Sequence, residues 1–154
     1  MALTDMTFRS TPLSRHLALT LPADGGSVAE ARAGVRAHLS RTGCGADLQD
    51  TVVLLVSELF TNALRHTAST TIGCVVHAGD DHVRIEVRGQ GSGSGILPGR
   101  GDGDGLSDHG RGLHIVETLS LAWGVHGDGR GHTVWCLVSA EDVRDQQDER
   151  DARD

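Results

Sequence analysis

Aromatic side chains are almost missing from these 154 residues: two Trp, two Phe and no Tyr. Prolines number three and glycines 21, a balance that suggests tight loops and close backbone approach to a ligand rather than a linker protein. Cys44, Cys74 and Cys136 are an odd number at wide spacing, which fits reduced thiols and not a disulfide framework. Without CxxC or HxxxH spacing, the cysteines and His114, His126 and His132 also give no zinc pattern. Basic charge is lacking. The formal net charge is -7, with acids gathered toward the C-terminal end, so no cationic footprint offers itself to nucleic acid or an anionic membrane. There is no run of about 18 apolar residues and no leader pattern, which places the chain in the cytoplasm. One domain is expected, with a metal-bound nucleotide or another protein as its partner.

What is present centres on LLVSELFTNALRHT, residues 54–67. Glu58, Asn62 and His66 recur every fourth residue, and each step drifts only about 40° around a helix, so the three share a face. Val52, Val53, Leu55, Val56, Leu59, Phe60, Ala63 and Leu64 fill most of the remaining circumference. A helix so apolar is expected to be buried, its polar row opening into a pocket. A buried carboxylate needs compensation, and a divalent metal would give it. The solvated side of an ordinary amphipathic helix has the same composition, so the row alone leaves both readings open.

Along the chain, residues 1–14 read as a lead and 15–21 as an edge strand closed by Pro22. Residues 27–40 read as a surface helix with Ser27 as N-cap, Glu30 three residues on and a stop at Gly43; Arg32 and Arg36 lie on its outer side. The central helix runs from Ala46 to about Thr67. Residues 70–77 and 82–87 read as two strands joined by a hairpin turn. From Gly89 to Gly105 the chain has little to pack, so it is either a simple insert or functional. Gly110 and Gly112 then open an apolar helix, whose N-terminal N–H groups and dipole favour phosphate. Residues 123–131 read as a break, 133–139 as a last strand and 140–154 as a charged tail.

Together, SELFTNALRHT, GRGLHIV and GHTVWCLV resemble the GHKL ATP-binding superfamily, and within it the stand-alone anti-sigma factor serine/threonine kinases of actinomycetes. The resemblance covers roughly residues 15–139; the motifs are specific as a set and weak singly. It implies an α+β fold, a two-layer sandwich of the Bergerat type, with a mixed, mostly antiparallel sheet and helices on one face. It implies ATP and Mg2+ as cofactors, Asn62 as the metal ligand and Glu58 as the general base that takes a proton from an attacking hydroxyl. Arg65 would reach a phosphate, and His66 would be pocket wall. The first glycine box would be Gly89, Gly91 and Gly93. In the family an Asp opens that box and accepts a hydrogen bond from the adenine amino group; here Gly89 stands in its place. Losing a charge-assisted bond removes about 1.5 to 3 kcal/mol, roughly tenfold to a hundredfold in affinity. Gly110, Arg111 and Gly112 would hold the phosphates with Leu113 packed beneath, residues 96–109 would be a lid, and Thr133 would match a threonine near the adenine.

The function implied is a kinase that phosphorylates an anti-anti-sigma partner of STAS type and sequesters a sigma factor, possessing no direct nucleic-acid or membrane contact. A homodimer through the first strand and helix would follow from the same resemblance. The alternative is a non-catalytic partner-switching module whose nucleotide site has decayed at Gly89. A Rossmann unit fails on context, because the glycine run follows a hairpin rather than opening a helix after the first strand.

Overall fold

The computed structural model describes residues 15–66, 70–90, 108–127 and 130–140, with only the backbone at 90 and 108–112. Their order is β1 (His16–Pro22), α1 (Gly26–Arg41), α2 (Ala46–His66), β2 (Thr71–Ala78), β3 (His82–Gln90), α3 (Asp108–Leu119), β4 (Ala122–Gly127) and β5 (Gly131–Ser139). The strands form one sheet in the order β1-β2-β3-β5-β4, and each described pairing is antiparallel.

Alternation along the strands gives the sheet two unlike faces. Ile72, Cys74, Val76 and Ala78 of β2 stand opposite Gly89, Val87, Ile85 and Val83 of β3. Val87, Ile85 and Val83 in turn face Val134, Cys136 and Val138 of β5. All these side chains are buried, and Leu48, Val52, Val53, Leu55, Val56, Leu59, Phe60 and Ala63 of α2 close the same core. The two-layer α+β architecture is therefore present, with the apolar circumference of α2 set against the sheet. Burial pushes the Cys74 thiol up to about 12, with Cys136 adding to the rise. It pushes Cys136 up to about 11 against the opposing pull of Ser120 and Arg84.

The other face carries Arg84, Glu86, Arg88, Thr133, Trp135 and His126. Arg84 lies over the Trp135 ring, 4.9 Å from its centroid, and bonds Glu86 at 2.8 Å. His126 stacks on the same indole at 6.0 Å and 17°. Trp135 lies across Gly124, where a β-carbon would fall 2.8 Å from the ring.

Several local expectations need correction. Ser27 is not the cap of α1: it lies buried inside the helix, and Asp24 Oδ1 accepts from its backbone N–H at 3.1 Å and its hydroxyl at 3.3 Å. The acid three residues upstream thus satisfies the orphan donor that a capping serine would otherwise serve. At the other end Gly43, with φ +78°, closes α1 as expected, Cys44 N–H reaching Leu39 O at 3.1 Å and Gly43 N–H reaching Ser40 O at 3.4 Å. That double bond pattern needs a left-handed residue, which glycine adopts without strain. β3 continues to Gln90, so Gly89 belongs to a strand and not to a loop. Residues 122–127, read as a break, form edge strand β4; Gly124 and Gly127 dilute its alternation, but pairing with β5 holds it.

Candidate functional site

Chain direction brings the predicted site segments to one end of the sheet. α2 ends at His66, and β2 starts back at Thr71 with Ile72 opposite Gly89. Gly89 is in turn opposite His132, so the last turns of α2, the end of β3 and the start of β5 share that end. α3 leaves its C-terminus at the far end, where Leu121 N–H reaches Leu137 O at 2.8 Å. Twelve helical residues span about 18 Å, which sets the N-terminus of α3 that far from this end of the helix. Glycines 110 and 112 lie within the first turn and a half of that helix rather than ahead of it.

On α2, Glu58, Asn62 and His66 are each half-buried, between the fully buried faces and water, while Arg65 is exposed. Asn62 Nδ2 is buried without a hydrogen-bond partner. A desolvated amide nitrogen without an acceptor suits a ligand: the donor fits a phosphate oxygen, and a half-turn of the amide would offer its oxygen to a cation at the same place. Among the described residues no group of three or more His, Cys, Asp or Glu could hold a metal ion. An ion here would depend on Asn62 together with the phosphates of a nucleotide, and the residues present fit that arrangement.

Thr133 falls on the sheet face away from α2, in register with Arg88 and His126, whereas its neighbour His132 stands on the α2 face with Val134. His132 Nδ1 is likewise buried with no partner, as are His38 Nε2 and Trp135 Nε1 elsewhere in the described residues. Leu113 is half-buried in α3. Gly91, Gly93 and residues 96–107 of the expected lid lie outside the described residues, as do the side chains at 108–112, Arg111 included. A cavity of about 500 Å³ lies at the opposite end of α2, lined in part by Thr42, Asp47, Asp80 and Ala140, and it includes none of the predicted site residues.

The half-buried Glu58–Asn62 row of α2, the sheet end at Gly89 and His132 and the first turns of α3 are the segments of this α+β domain on which a nucleotide site would draw. The histidine kinase-like ATPase domain model matches residues 21–137, and the chain belongs to that family, whose ligand is ATP. Similar solved structures include the RsbU and RsbW domains of Rv1364c from Mycobacterium tuberculosis, at 23% identity and TM-score 0.60, covering 80% of this chain and 32% of that one. The chain thus spans about a third of that protein. The SiaB-SiaC complex from Pseudomonas aeruginosa matches at 15% identity and TM-score 0.57, covering 89% of this chain and 96% of that one. At these identities the likeness shows the fold. Among curated proteins there is no match.

Proposed function

We propose that the protein is an ATP-dependent serine/threonine protein kinase and anti-sigma factor that phosphorylates an anti-anti-sigma partner of STAS type. The observation that carries this reading is the Glu58–Asn62 pair, half-buried one turn apart, with Asn62 Nδ2 left without a partner. ATP would supply the phosphoryl group, and Mg2+ would neutralise charge on its phosphates. Asn62 would hold the ion, the backbone of Gly110, Arg111 and Gly112 would bind phosphate oxygens with Leu113 beneath, and Arg65 would add a cation. Glu58 would accept the proton of the attacking hydroxyl. Glycines 89, 91 and 93 would let the backbone approach the nucleotide, whereas Thr133, on the sheet face away from α2, would take no part.

The names of the fold neighbours, an RsbW domain and a SiaB-SiaC complex, support a partner-switching role. Dimerisation through β1 and α1 is part of the proposal. β1 is an edge strand, and an edge offers a row of backbone donors and acceptors to a second chain. One observation favours the non-catalytic alternative: Gly89 supplies no carboxylate where the related domains read adenine.

Thermal unfolding with Mg-ATP, with Mg-GTP and without nucleotide tests the reading, paired with phosphate transfer to a STAS partner. Mg-ATP is expected to raise the melting temperature modestly and Asn62→Ala to abolish the rise. If neither nucleotide moves the wild-type midpoint, the kinase reading is lost. A rise without transfer selects the binding module.

A further inference from the structure

Among the described residues β1 lies at one edge of the sheet and pairs on one side, with β2. Its first residue, His16, stands directly opposite His77. His77 belongs to the face of β2 away from α2, because Val76 and Ala78 on either side of it are buried in the core. Directly opposed residues on one face of an antiparallel pair have β-carbons about 4.5 to 5.5 Å apart. The two imidazoles accordingly meet, with ring centroids 5.9 Å apart and planes at 60°. His16 is exposed and His77 half-buried, so the pair opens to solvent. The next residue in this row is Arg84, opposite His77 on β3, but its guanidinium lies over Trp135 and bonds Glu86 at 2.8 Å. Its charge is therefore compensated away from the histidines. The row is also remote from the nucleotide segments: His77 is five residues along β2 from Ile72, the partner of Gly89, or about 17 Å of extended chain.

We infer that His16 and His77 form a two-histidine site for a divalent transition-metal ion of the zinc class, bridging the edge strand to the body of the sheet. Two imidazole nitrogens bound to one tetrahedral ion at about 2.0 to 2.1 Å place the ring centres about 5 to 6 Å apart. The separation of 5.9 Å falls in that interval, so closing on an ion asks for ring rotation while the strand spacing already fits. Imidazole suits Zn2+, Ni2+ and Cu2+, whereas Mg2+ takes oxygen ligands, so the ion of a nucleotide does not compete here. No group of three or more His, Cys, Asp or Glu gathers among the described residues, so water fills the remaining positions and the ion is exchangeable. Its effect falls on β1: beside the Arg15–Asp80 ion pair, it adds a second fastening where an edge strand begins.

Isothermal titration of Zn2+ into the metal-stripped chain tests this, in wild type, His16→Ala, His77→Ala, the double variant and His114→Ala, together with nitrogen NMR of the histidine rings. The second imidazole joins as an intramolecular event, so losing either one should weaken Zn2+ on the order of a hundredfold. For the same reason the double variant should bind little worse than each single one. His114, exposed on α3, should be replaceable without effect. The ring nitrogens of His16 and His77 should shift together at one equivalent of Zn2+, and excess Mg2+ should not reverse the shift. An affinity within threefold of wild type in both single variants overturns the site, as does Zn2+ uptake that leaves those two resonances unmoved. If an alanine variant proves unfolded by circular dichroism, the wild-type resonances decide, and His16 and His77 signals indifferent to Zn2+ sink the proposal.

Discussion

Gly124→Ala is the sharpest test of packing on the sheet face away from α2. A β-carbon at this position falls 2.8 Å from Cζ2 of Trp135 and 2.9 Å from Cε2 and Nε1, closer than carbon atoms in contact can stand. The indole must therefore move by more than half an ångström, on the order of the gap to a normal separation. It is not at liberty to do so cheaply, because Arg84 sits 4.9 Å from one ring centroid and His126 stacks at 6.0 Å. Overpacking of this kind costs about 1 to 3 kcal/mol. Loss of the aromatic and cation contacts is worth about 0.5 to 1.5 kcal/mol within that range, and the reduced backbone entropy of alanine returns about 0.4 to 1. The net expectation is about 1 to 2 kcal/mol of destabilisation, or roughly 2 to 8 °C in melting temperature for a domain of this size. Urea and thermal unfolding followed by far-ultraviolet circular dichroism would measure it. Trp135→Leu/Gly124→Ala should cost less than the sum of its single changes, since the clash partner is gone. Additive single costs, or a neutral Gly124→Ala, would refute the packing argument.

Gly89→Asp is expected to enlarge the Mg-ATP thermal shift, because a carboxylate opposite His132 adds an acceptor for the adenine amine; an unchanged or smaller shift would remove that account of the missing acid. Asp24→Ala should cost about 1 kcal/mol through the loss of the α1 cap, with Asp24→Asn milder, as read by urea unfolding. The buried thiols give an alkaline instability. Their folded values are raised from the ordinary value of 9.0 to about 12 for Cys74 and about 11 for Cys136, so an unfolded chain ionises first. The stabilisation is whole below about pH 9 and drains away as pH climbs toward 11 and 12, by about 1.4 kcal/mol per unit for each thiol. Urea midpoints between pH 8 and 10.5 should fall in the wild type and fall less in Cys74→Ala/Cys136→Ala; equal slopes would refute the assignment.

Much of this architecture is legible in the residues because periodicity reports burial. The apolar circumference of residues 52–63 identifies α2 almost to its ends, and strict alternation in HVRIEV identifies β3. β4 is not legible in the same way: AWGVHG carries only two inward apolar side chains, and its pairing with β5 is a tertiary fact. The cap of α1 is missed because a serine next to a helix start looks like a cap wherever it sits, while the acceptor actually used is Asp24. At the site, four-residue spacing makes Glu58, Asn62 and His66 visible. The orientation of His132 is hidden because strand parity, and not motif position, decides which of two adjacent residues turns toward the helices. The signal was available in principle: Val134, Cys136 and Val138 alternate apolar toward the core, and His132 continues their phase.

The depth at which α2 is embedded divides the domain into a part that must keep its identity and a part free to vary. Eight of its side chains are locked in the core, so the positions of Glu58 and Asn62 cannot be adjusted without repacking the interior. The strand ends at Gly89 and His132 face each other at the margin of the sheet, outside that packed helix. A substitution on the buried circumference of α2 therefore moves the Glu58–Asn62 row with the helix, while one at the strand ends acts on the sheet margin alone.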